Sequence, residues 1–147
     1  MSFCSVRSSF LWLATLAACG GGQREVAVKG PDNELVKLVG TWEGDYHGDD
    51  SGRSGPISFG LQLGQHSAEG EVRMGGTTPL KIDFVQIKAG QIRGTIAPYT
   101  DPGCSCQVET TFLGTRAGES ISGMFETKVG ATGQIQTGSW KVARTAR

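Results

Sequence analysis

All 23 glycines of this 147-residue chain lie at or beyond position 20, and short stretches of alternating apolar and polar residues run between them. Glycine is costly inside a helix, and an alternation of period two matches a strand with one buried face. The pattern therefore points to many short strands joined by turns. From Thr41 onward we read eight candidate strands, at about 41–47, 57–64, 68–74, 79–87, 91–98, 106–114, 119–127 and 133–143. Ile57, Phe59, Leu61 and Leu63 share one face of the second. Val108, Thr110 and Phe112 share one of the sixth, and Ile121, Gly123 and Phe125 one of the seventh. In the fourth, Leu80, Ile82 and Phe84 alternate, and then Val85 and Ile87 fall on the opposite parity. That break predicts a bulge or a strand buried on both sides.

Ala89-Gly90, Ala117-Gly118 and Val129-Gly130 separate adjacent runs at hairpin distances. The related stretches Gln91–Ile96, Ser120–Phe125 and Gln134–Trp140 read as hairpin chemistry repeating itself. Eight sequential strands with short connections are most economically arranged as an all-β, eight-stranded up-and-down antiparallel barrel, because closure pairs the edges. An open β-sandwich has the same strand count. A short N-terminal helical turn over 34–39, capped by Asp32 or Asn33 and stopped by Gly40, precedes the barrel. The interior of so small a barrel is either filled by side chains or holds one small ligand.

The first residues follow another logic. Arg7 and the amino terminus carry positive charge, an apolar run spans Phe10–Leu16, and Ala17 and Ala18 follow. That order is a secretory signal, too short to cross a bilayer. Leu16-Ala17-Ala18-Cys19 resembles the bacterial lipobox, which implies acylation of Cys19 and cleavage before it. Two or more acyl chains hold a protein stably on a membrane. The absence of Asp after Cys19, by resemblance to sorted lipoproteins, points to the outer membrane. We therefore divide the chain into a signal peptide (1–18), a lipidated tether (19–31) and a β-barrel domain (32–147). Residues 1–18 hold one Arg and no acid, which leaves 13 basic against 14 acidic side chains. Nothing in that balance suggests nucleic acid, which requires a basic face.

Gly40-Thr41-Trp42 follows the helical turn and opens the first strand. It resembles the Gly-x-Trp start of the lipocalins and related calycin barrels. The resemblance implies that Trp42 closes the barrel floor and that a basic residue from beyond the last strand, matched by Arg144 and less well by Lys141, packs across its indole. It also implies that the first hairpin loop overhangs the open end as a lid.

Cys104-Ser105-Cys106 places two thiols on one face of a strand. A disulfide, a pair of metal thiolates, and free or partner-paired thiols are the three readings of this pair. Asp45, His47, Asp49 and Asp50 cluster before a Gly/Ser-rich stretch but lack the order of a calcium loop, so a solvated turn is the better reading. His66 sits in a turn. Nothing fixes a Ser/His/Asp geometry and there is no phosphate-cradling loop, so no case for an enzyme or a cofactor arises. Metal or redox binding at the cysteine pair is a third class of function, but a metal would need two more ligands, such as His47 or His66, and no metal-like spacing links them. The expected function is the binding of a small apolar or amphipathic ligand by the barrel, with Phe59, Leu61, Ile96, Phe112 and Phe125 against it and Gly94 and Gly123 leaving room. The alternative is an envelope protein-interaction module, an inhibitor or accessory subunit, with a packed interior.

Overall fold

The computed structural model describes residues 25–146. The signal segment and Cys19 lie outside them. The described chain runs β1 (Glu25–Lys29), α1 (Asp32–Leu35), a 3-10 turn (Val36–Leu38), β2 (Gly40–Gly48), β3 (Ser54–Leu61), β4 (Ser67–Met74), β5 (Thr78–Leu80), β6 (Ile82–Lys88), β7 (Gln91–Asp101), β8 (Cys106–Ala117), β9 (Ser120–Val129) and β10 (Ile135–Ala146). The fold is all-β and the sheet closes into a barrel. From β6 to β10, and on through β2 to β4, neighbours in sequence pair antiparallel, with β10 closing on β2. That is the up-and-down arrangement read from the alternation.

The ring holds nine strands instead of eight, and the ninth comes from the segment read as tether. Glu25–Lys29 is a strand, with Val26 and Val28 fully buried and the residues around them exposed. Its place follows from the break in the fourth expected strand. That strand divides at Lys81: β5 stays on the end of β4, while β6 leaves to pair with β7. The gap between β4 and β6 would leave two rows of unpaired backbone groups. β1 fills it, antiparallel to β4 (Val26 opposite Ala68) and parallel to β6 (Val28 opposite Val85). The parity change appears as a bulge between Ile82 and Phe84, which turns Val85 and Ile87 inward. Phe84 faces outward, with the Lys29 ammonium 5.3 Å from its ring centre.

A second bulge, between Ile96 and Tyr99, adds one residue to β7 beside Pro98 and brings Tyr99 back to the inner face. Leu63 falls beyond the end of β3 and is 71% exposed. The helical turn begins at Asp32, two residues earlier than expected, and ends at Leu38. Its cap is Pro31, whose carbonyl accepts from Glu34 and Leu35, rather than a side chain of Asp32 or Asn33. Glu34 ties the turn to the barrel: its carboxylate takes Lys37 Nζ at 2.7 Å and the Gly90 amide at 3.0 Å. Both contacts, Lys37 first, hold its pKa below the ordinary range.

Candidate functional site

Along β3, β7, β8, β9 and β10 one parity faces the barrel axis and the other faces solvent. The inward set encloses a cavity of about 120 Å³. Its wall is almost wholly carbon, from Ile57, Val72, Ile82, Ile92, Ile121 and the aromatic rings. An apolar void of roughly 150 Å³ stays dry and accepts benzene, so a space of this size suits a small apolar molecule.

Glycines set how the rings lie. A Cβ on Gly94 would sit 2.4 Å from Phe112 Cζ, one on Gly138 2.3 Å from Phe125 Cζ, and one on Gly114 2.4 Å from Trp140 Cζ2. Each ring therefore rests on bare backbone of a nearby strand. Phe112 meets Trp140 edge-on at 5.7 Å, and Tyr46 meets Phe125 edge-on at 5.8 Å, both within the favourable range for aromatic pairs. The room expected at Gly94 is thus taken by Phe112. At Gly123 a Cβ would collide with the Leu113 carbonyl and the Gly114 backbone, so that glycine serves a close approach of two strands. The free space lies along the axis.

One end is shut by Trp42. Its side chain is 0% exposed and its Nε1 donates to the Leu38 carbonyl at 2.8 Å. The Arg144 guanidinium stands 4.4 Å from the indole centre, donates to the carbonyls of Val39 and Lys37 (the latter at 2.9 Å), and pairs with Glu119. Gly40 has φ +116°, and a Cβ there would strike the Ala146 carbonyl, so the strand opening requires glycine.

The other end is crossed by an ion pair. The β2–β3 loop reaches over the mouth, anchored where Asp50 accepts the Thr137 amide at 2.6 Å. Arg53, its last residue, forms a two-pronged pair with Asp101 at the end of β7, with Nη2 2.8 Å from Oδ1. Asp101 also accepts the Gly103 amide at 2.7 Å. Its side chain is 8% exposed and that of Arg53 32%. The guanidinium is the main reason the Asp101 pKa lies below its ordinary value; burial opposes it and the Gly103 amide adds to it. Cys104 and Cys106 form a disulfide in the β7–β8 turn directly after Asp101, with Cα atoms 5.1 Å apart.

Of the residues expected against a ligand, Phe59, Ile96, Phe112 and Phe125 line the cavity. Leu61 does not; it is buried in the core near the floor, where Gly40 lies opposite it on β2. Asp45, His47, Asp49 and Asp50 do not converge. Asp45 and His47 sit opposite Lys141 and Ser139 on neighbouring strands, and Asp49 and Asp50 fasten the loop to Thr137. Among the described residues no cluster of His, Cys, Asp or Glu could hold a metal. Sequence reasoning missed Tyr46, Tyr99 and Trp140 on the wall and the Arg53–Asp101 pair across the mouth. Tyr99 is legible once Pro98 is taken as a bulge. The ion pair carries no local signal, since its partners are 48 residues apart. Compared with models of known families, with characterised proteins and with solved structures, the chain gives no significant match.

Proposed function

We propose that this chain is a bacterial outer-membrane lipoprotein, anchored through Cys19, whose barrel takes up a small apolar or amphipathic molecule without transforming it. The carbon-walled cavity of about 120 Å³ beneath a barred mouth carries this reading. The volume restricts the occupant to about the size of a single ring or a short branched chain. The Trp42 floor and the mouth loop give the Gly40-x-Trp42 likeness to lipocalin-like barrels its content, and the lipobox gives the location.

Toluene is the direct test. Trp42 and Trp140 both line the cavity, so their indole N–H resonances should shift saturably as toluene is added. Shifts that never saturate would remove the reading. For the anchor, exchange of Cys19 for Ser should move the protein from the membrane to the soluble fraction, and retention in the membrane would count against it.

An interaction module of the cell envelope is the second reading. The observation favouring it is the disulfide-braced β7–β8 turn, exposed beside the mouth as a fixed contact surface. A stoichiometric envelope protein whose capture depends on residues 102–105 would support it.

A further inference from the structure

We infer that the molecule this barrel takes carries one uncharged oxygen group, such as an alcohol, ketone or ester, held by the hydroxyls of Tyr99, Thr110 and Thr127. The inference rests on the ligand-binding reading and narrows it to a chemical class.

Thr110 and Thr127 stand directly opposite each other on β8 and β9, both buried, with their hydroxyl oxygens 2.7 Å apart. Two threonines side by side on the inner face of an otherwise carbon-lined barrel are costly unless their hydroxyls are fully used. Tyr99, brought inward by the β7 bulge, lines the same cavity as the two threonines, and burial is the main reason its pKa is raised. The three hydroxyls hold three protons, and the bond between the threonines uses one. Two protons and several lone pairs remain available at the cavity.

The two indoles of the wall are engaged elsewhere: Trp140 Nε1 donates to the Met124 carbonyl at 3.2 Å, and Trp42 Nε1 to Leu38. The Tyr46 hydroxyl accepts the Gly75 amide at 3.2 Å, which holds it at the turn between β4 and β5. A polar group entering the barrel therefore finds its partner at the threonine pair. No charged side chain is among the residues lining the cavity. Arg53 at the mouth already has both terminal nitrogens on Asp101, and Arg144 lies behind the Trp42 indole. A carboxylate or ammonium inside would lose its water and meet no opposite charge, whereas a hydroxyl or carbonyl needs only one hydrogen bond.

Three probes with one ring separate the possibilities: toluene, benzyl alcohol and benzoate, titrated at neutral pH into the full chain. Benzyl alcohol should bind, and benzoate at least about tenfold more weakly. Exchange of Thr127 for Val, or of Tyr99 for Phe, should weaken benzyl alcohol by about three- to tenfold and leave toluene within about twofold. Thr127→Ser, which keeps the hydroxyl, should restore the alcohol affinity, and this separates recognition from a merely disturbed wall. Benzoate binding as tightly as benzyl alcohol would overturn the inference. So would variants that leave benzyl alcohol unchanged or weaken toluene equally. Should toluene itself fail to bind the unaltered protein, the cavity reading falls, and the inference with it.

Discussion

Both ends of the barrel are crossed by an arginine, and the two arginines do different work. Arg144 at the floor lies on the face of Trp42 and donates to main-chain carbonyls. Those acceptors do not titrate, and the titratable partner of Arg144, Glu119, is half exposed at the rim of the floor. Arg53 at the mouth reaches from the start of β3 to the end of β7, on opposite sides of the ring, and holds a carboxylate. Its hold depends on charge, and about a third of its side chain meets water. The same residue type thus makes one closure held mainly by an indole and the backbone, with an exposed carboxylate beside them, and another held by an ionising carboxylate.

The sharpest way to break the contrast is at the floor. Trp42→Ala should cost about 3–5 kcal/mol of stability, because a large, fully buried ring is removed and the site cannot collapse around the loss. Denaturant unfolding checks this. Arg144→Ala should cost about 2 kcal/mol, combining a lost contact of about 0.5–2 kcal/mol over the indole with uncapped carbonyls at Val39 and Lys37. Most of the loss should be independent of salt, since only the pairing with half-exposed Glu119 is open to screening.

At the mouth, Asp101→Asn should cost only about 1 kcal/mol, discounted for the exposure of Arg53. Hydrogen exchange should quicken at the amides of 49–53 and 101–106 and stay unchanged around Trp42. Acid should imitate this variant. The folded-state pKa of Asp101 is depressed. Its contribution is therefore fully present above the ordinary aspartate value near about pH 4 and is lost as pH falls through the lower folded value. Fast exchange at the mouth that begins near neutral pH would contradict the assignment. The effect of the disulfide is bounded by the short loop it closes. Replacing Cys104 and Cys106 by Ser opens a loop of three residues and should cost at most about 1.5 kcal/mol. A larger loss would mean that the bridge props the Arg53–Asp101 pair as well as its own turn.

Alternation was enough to find the strands of the ring from β2 onward, because a barrel wall buries one face of each. It also located the parity break at Ile82–Val85, since a bulge must shift every later side chain. Glu25–Lys29 escaped because two inward valines are too few to show a period, and because the strand is needed only once β4 and β6 part. At the floor, Gly40-x-Trp42 marks one partner locally, with Trp42 bonded to Leu38, while Arg144 reaches it from more than 100 residues away. The mouth carries no such mark, since Arg53 meets Asp101 only after the ring has closed. Nor does Gly94 disclose in the sequence which aromatic side chain will lie on it.

The stave nearest the chain's beginning is also the seam of the barrel, flanked by β4 on one side and β6 on the other. Proteolytic trimming up to Pro31 would therefore do more than shorten a leader. It would unzip the wall and present two raw sheet borders to other copies, so a clipped product should self-associate while the intact chain stays apart.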